Sequence, residues 1–145
     1  MITSILAVMI IQFVFGCFNL YFSITQPKTS CMDDSYNGYV LRPWLLYIGK
    51  VEMFIFVGLA LPLLLYKFKC VPSLQCLTCC WCLPLIVAGI KTIVWMVVVL
   101  QLYFNVIANH CDGSVYAYGT VLTILSIMDI LRICCGCFRG EGGRA

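Results

Sequence analysis

The chain has 145 residues, 63% hydrophobic and only 10% charged, with a formal net charge of +3 and a mean hydropathy of +1.02. A water-soluble domain carries about 25% charged residues, so water is excluded as the solvent for most of this chain, and one domain is the expectation at its length. The few basic residues are too scattered to make a basic face, which excludes nucleic acid as a partner.

Four apolar runs are long enough to cross roughly 30 Å of hydrocarbon as helices: 4–24, 44–66, 83–107 and 114–133. They predict an all-α integral membrane protein, a single four-pass transmembrane domain folded as a four-helix bundle. The segments between them are then outer loops 25–43 and 108–113, an inner cysteine-rich loop 67–82 and a tail 134–145. The first run lacks a basic leader, is longer than a secretory core of ~7–15 residues and has no small-residue cleavage site after it. It is expected to stay as a helix.

In that first run the polar residues are Gln12 and Asn19, suited to hydrogen bonds between helices, and Gly16 and Cys17 are small enough for close helix approach. Loop 25–43 is the longest polar segment. Its Pro27, Asp33, Asp34 and Asn37-Gly38 are turn formers, and Cys31 is its only cysteine. The second run opens behind Pro43, a residue suited to a first helical turn. Lys50 and Glu52 follow inside it, two apart and therefore on different helix faces, each needing its own partner. Pro62 is expected to kink the run.

Loop 67–82 reads KFKCVPSLQCLTCCWC and holds Cys70, Cys76, Cys79, Cys80 and Cys82. The third run carries Lys91, Gln101 and Asn105 and ends beside Cys111 and the single histidine, His110. The turn after it is so short that the third and fourth runs are expected to be antiparallel neighbours. The fourth run carries Asp129 and Arg132 near its end, and Cys134, Cys135 and Cys137 lie beyond it.

Basic residues set the orientation. Lys67, Lys69, Arg132, Arg139 and Arg144 lie in or beside the inner loop and the tail, against Lys28 and Arg42 in the outer loops. The positive-inside rule then puts both termini and loop 67–82 in the cytosol, in the plasma membrane or an endomembrane. Of the eleven cysteines, one falls in each outer loop. An oxidising exterior would pair Cys31 with Cys111, the alternative being two free thiols. The inner cysteines lack the paired CxxC spacing of a structural zinc site. Juxtamembrane cysteines beside lysines and aromatics suit S-acylation, which makes Cys70, Cys76, Cys79, Cys80, Cys82, Cys134, Cys135 and Cys137 lipidation candidates; unmodified thiols and metal binding are the competing readings.

Charge inside a membrane is a functional hypothesis by default. From the run boundaries, Lys91 lies about eight residues from the inner end of its helix and Asp129 about four from the inner end of the next, so a structural Lys91–Asp129 pair is the expectation. Lys50 and Glu52 fall in the outer half, where Gln101, Asn105 and Asn19 are neighbours by depth. A lining for an ion or solute path is the competing reading for all of these. No metal-ligand set, nucleophile elbow or phosphate-cradling glycine loop occurs, so catalysis, metals and cofactors are not expected, and His110 reads as a solvated turn residue.

Three stretches give the chain a likeness. The first run carries Gly16 and Tyr21 with Cys31 after it, the second opens PWLLYIGKVEMF, and the fourth is preceded by HCDGSVYAYGTVLTIL. In these and in its architecture the chain resembles the four-pass proteins called transmembrane protein 272-like, departing from them in its cysteine-dense inner loop and short tail. The resemblance implies the four-pass topology and no mechanism. The expected role is non-enzymatic: a small tetraspan accessory or scaffold subunit in the lipid bilayer, packing with itself or a larger membrane protein. The alternative is a small oligomeric ion channel or transporter using Lys50, Glu52, Lys91 and Asp129.

Overall fold

The computed structural model describes residues 2–142, and among these leaves the side chains of 130, 132–134 and 136–142 undescribed. The described chain is all-helical, without strands, its one pairing of extended residues being an isolated bridge between Tyr36 and Tyr39. The elements in order are α1 (Ile2–Thr25), α2 (Ser30–Asp33), α3 (Leu41–Lys67), α4 (Leu74–Leu102), a π-helical stretch (Tyr103–Ile107), α5 (Ala108–His110) and α6 (Gly113–Gly142). Three helices are long and apolar enough to cross a membrane: Ile2–Thr25, Leu41–Lys67 and the continuous stretch Leu74–His110.

The helix ends follow from local chemistry. Pro43 is the third residue of α3, within the first turn, where a missing N–H leaves no bond unmade. α3 stops in a Schellman arrangement: Lys69 takes a left-handed φ of 60°, Lys69 N–H donates to the Tyr66 carbonyl at 3.0 Å and Cys70 N–H to the Leu65 carbonyl at 2.9 Å. Pro72 follows, and the Ser73 hydroxyl accepts the Cys76 N–H at 3.2 Å, capping α4 at its N-terminus.

That cap corrects the expected inner loop. Only residues up to Ser73 form a loop, and Leu74–Cys82 make the first turns of α4. The tail is likewise helical as far as Gly142; no proline follows Pro84 to end the helix.

The chain divides into two compact units. The first comprises Met1–Pro27 and Arg42–Ile93, the second Lys28–Leu41 and Val94–Ala145. In the first unit the buried residues of α1 include Ile5, Met9, Gln12, Gly16, Asn19 and Ser23, alternating by four and three. On α3 the buried set Leu45, Ile48, Glu52, Ile55 and Leu59 has the same alternation. Such spacing marks a narrow seam along each helix. Ile5, Met9, Ile55, Leu59, Leu77 and Trp81 form the apolar core of this unit. The helices approach closely at glycines. A Cβ on Gly49 would lie 2.9 Å from Leu20 Cγ and 3.1 Å from the Leu20 backbone nitrogen, and one on Gly58 would lie 2.8 Å from Pro84 Cγ. Cys17, expected to serve the same purpose beside Gly16, is instead exposed.

In the second unit the loop after α2 turns at Asn37-Gly38, with φ of 52° and 84°. Two positive φ values make a type I′ turn, and Tyr36 and Tyr39 exchange backbone hydrogen bonds at 2.9 and 3.0 Å across it.

Candidate functional site

The polar residues of the first unit collect on its seams. Glu52, on α3, is 2% exposed. Its Oε1 accepts from Lys91 Nζ of α4 at 2.8 Å, and its Oε2 accepts from Asn19 Nδ2 of α1 at 2.7 Å. Lys91 Nζ also donates to Gln12 Oε1 at 3.4 Å. Three helices thus contribute to one closed group: a carboxylate, an ammonium and two amides. Gly16 packs beside it, since a Cβ there would come within 3.3 Å of Glu52 Cβ and 3.0 Å of Met53 Sδ. A side chain at position 16 would press on Met53 and Glu52, so glycine there favours the close approach by which Asn19 reaches the carboxylate.

A buried ion pair repays its desolvation only with close geometry and further hydrogen bonds on the remaining lone pairs. Both conditions hold here, because each carboxylate oxygen has a donor. Among the described residues, no buried side-chain nitrogen or oxygen lacks a partner.

The expected Lys91–Asp129 pair is corrected: the lysine is bound to Glu52, and Asp129 is exposed. The displaced helix start explains the error. Counted from Leu83, Lys91 lies shallow; counted from Leu74, it is seventeen residues in, about 25 Å at 1.5 Å per residue. Nineteen residues then remain to His110, so Lys91 lies at the middle of its apolar stretch. Glu52, eleven residues past Leu41 and fifteen before Lys67, is also close to the middle of its own.

Lys50 is exposed and does not join the group. Nor do Gln101 and Asn105, which serve the second unit: Asn105 Oδ1 accepts from Asn37 Nδ2 at 2.8 Å, and Asn105 Nδ2 donates to the Gln101 carbonyl at 2.8 Å.

At the opposite end of α3, Trp81 is buried and its Nε1 donates to the Leu59 carbonyl at 3.0 Å. Leu59 lies three residues before Pro62, whose missing N–H frees the carbonyl of Gly58 rather than that of Leu59, so the Trp81 bond is an added link between α4 and α3. Arg42 does similar service at the end of α1, donating to the Ser23 carbonyl at 2.6 Å and the Pro27 carbonyl at 3.0 Å. The bonds made by Trp81 and by Arg42, and the close approach at Gly49 and Gly58, escape a reading by spacing alone. The signals available were a tryptophan at seam spacing from Leu77 and two glycines inside an apolar run.

In the second unit Cys31 and Cys111 form a disulfide with Cα atoms 5.0 Å apart, both cysteines buried. His110, beside it, is exposed but not merely solvated: its ring stacks on Tyr36 with centroids 3.6 Å apart and an interplanar angle of 11°. Loop and helix end are joined here by a covalent bond, a ring stack and the Asn37–Asn105 amide pair. The π-helical stretch Tyr103–Ile107 lies in the same region.

Cys70, Cys76, Cys79, Cys80, Cys82 and Cys135 are free and exposed; the Cys134 and Cys137 side chains lie outside the described residues. No group of three or more His, Cys, Asp or Glu among the described residues is placed to hold a metal ion. Comparison with protein-family models, with curated proteins and with solved structures finds no match for this chain, so the reading of the buried polar group stands on its own geometry.

Proposed function

We propose that the chain is a four-pass membrane protein with both termini in the cytosol, and that it acts as a non-enzymatic accessory or scaffold subunit. α6 supplies the fourth crossing in this reading. At 30 residues it is about 45 Å long, and it exposes Val121, Ile124, Ile127, Met128 and Leu131. The orientation is supported by the cysteines: the disulfide is at the end of α4 that would face an oxidising exterior, and the free thiols Cys70–Cys82 are at the other.

The observation that carries the accessory role is the closure of the Glu52 group. A conducting path needs charge or carbonyl oxygen presented to a permeant ion. Here each oxygen of Glu52 is already bound by a donor of the same unit, and the carboxylate is buried. The group fixes how α1, α3 and α4 pack, which suits a rigid body offering its outer faces to itself or to a larger membrane protein.

Two measurements on the full-length protein test this. Purified protein reconstituted into planar bilayers should conduct no more than protein-free bilayers, and crosslinking in native membranes should trap it in a complex of fixed stoichiometry. An ion-selective current abolished by Glu52→Gln would overturn the accessory reading and establish the channel.

A further inference from the structure

The cysteines expected in a loop stand on a helix, and that changes what they can do. Cys76, Cys79 and Cys80 lie at i, i+3 and i+4 in the first two turns of α4 and therefore share one face. All three are free and exposed. The same face continues with Leu83 at 63% exposure and then Ile86 and Ile90, both also exposed, while the buried contacts of this part of α4 are made by Leu77, Trp81 and Pro84. The three thiols thus head an outward-facing apolar stripe. Just before them come the exposed Lys67 and Lys69 and the Ser73 cap, which mark the polar boundary. Cys80 is only six residues past Leu74, about 9 Å along the axis.

We propose that Cys76, Cys79 and Cys80 form an S-acylation site for long-chain fatty acyl groups; this rests on the cytosolic orientation proposed above. The donor class is a long-chain acyl-coenzyme A. A cysteine thiolate attacks the carbonyl carbon of the donor thioester, a new S–C bond forms as the coenzyme's S–C bond breaks, and the coenzyme leaves as its thiol, taking up the proton that the cysteine gave. No electrons change hands. The attached chain extends from the polar boundary along Leu83, Ile86 and Ile90, so its methylenes meet an apolar helix face as well as lipid. Cys17 makes a contrast within the same molecule. It is exposed too, but it lies eight residues from the nearer end of α1, about 12 Å into an apolar helix, where a water-borne thioester does not reach.

The test is acyl exchange on the full-length protein from native membrane: free thiols are blocked, thioesters cleaved with hydroxylamine, and each released thiol tagged with a maleimide-polyethylene glycol. Wild type should give a hydroxylamine-dependent ladder of up to three tags. The Cys76→Ser/Cys79→Ser/Cys80→Ser variant should lose it, and Cys17→Ser should keep it. No hydroxylamine-dependent shift in wild type, or an undiminished ladder in the triple variant, overturns the proposal. A separate variant with an Asn-Gly-Thr glycosylation acceptor inserted after Lys69 reports the orientation. An unglycosylated insert with no acyl ladder means that the acylation site fails while the topology stands; a glycosylated insert means that the topology itself fails, and the site with it.

Discussion

In the first unit three helices meet through glycine contacts and one buried group of a carboxylate, an ammonium and two amides. In the second, a polar loop is held to the end of a long helix by a disulfide, a ring stack and an amide pair. On the topology proposed above, the two solutions answer two solvents. Among lipid tails no hydrophobic force drives helix on helix, and association depends on close packing and polar bonds between helices. In water a loop rich in turn formers has little apolar surface to bury, and a covalent bond that restricts the unfolded chain is the more effective device.

This contrast can be broken at either end. The largest effect is expected from removing one partner of the ion pair. Lys91→Met leaves the Glu52 carboxylate buried without its cation, and losses of about 3–5 kcal/mol are usual for such a change. Unfolding of the purified protein in detergent titrations should show it, together with reduced yield from membranes. A loss below about 1 kcal/mol would mean that the pair does not hold the helices.

The disulfide comes next. Cys31 and Cys111 are 80 residues apart, and on the chain-entropy model a closed loop of that size contributes about 4 kcal/mol, less any strain. Cys31→Ser should abolish the mobility difference between reduced and unreduced protein on electrophoresis and lower the unfolding midpoint. Reductant should reproduce that loss in wild type and do nothing further to the variant.

Smaller effects sharpen the packing account. Gly49→Ala would set a methyl 3.1 Å from the Leu20 backbone nitrogen, a contact that backbone can relieve only by moving, and overpacking of this kind costs about 1–3 kcal/mol. Gly89→Ala, with nothing within 4 Å, should be neutral or slightly stabilising by helix propensity. If the two glycines behave alike in thermal unfolding, close approach at Gly49 is not what fixes α1 on α3. Tyr36→Ala should be the mildest of the destabilising changes, about 0.5–1.5 kcal/mol for a lost aromatic stack. Its clearer readout is faster amide hydrogen exchange confined to the loop around Asn37.

Three of the helices were legible because apolar runs of more than twenty residues have few other solutions, and the Cys31–Cys111 pair was legible because each of the two loops expected outside holds a single cysteine. The Asn37-Gly38 turn could be named from its residues, although two bridged tyrosines do not make a hairpin. The pairing of Lys91 could not be read, and the reason is geometrical. Pro72-Ser73 is a helix-start signal, but the cysteines after it look like loop composition. Setting the start at Leu83 instead of Leu74 shifts the apparent depth of Lys91 by nine residues, about 13 Å. An error of that size is enough to choose Asp129 over Glu52. The glycine contacts were illegible for another reason: spacing says which residues share a face, and only the neighbouring helix says which of them must be small.

The central claim is that Glu52 and Lys91 act as one unit in the packing of α1, α3 and α4, and a double-mutant cycle in detergent unfolding tests it most directly. With Glu52→Gln, Lys91→Met and the double variant, the account predicts that the double variant loses less stability than the sum of the two single losses, with a coupling energy in the range of about 0.5–3 kcal/mol for residues in contact. A double variant whose loss equals the sum of the two single losses would contradict it.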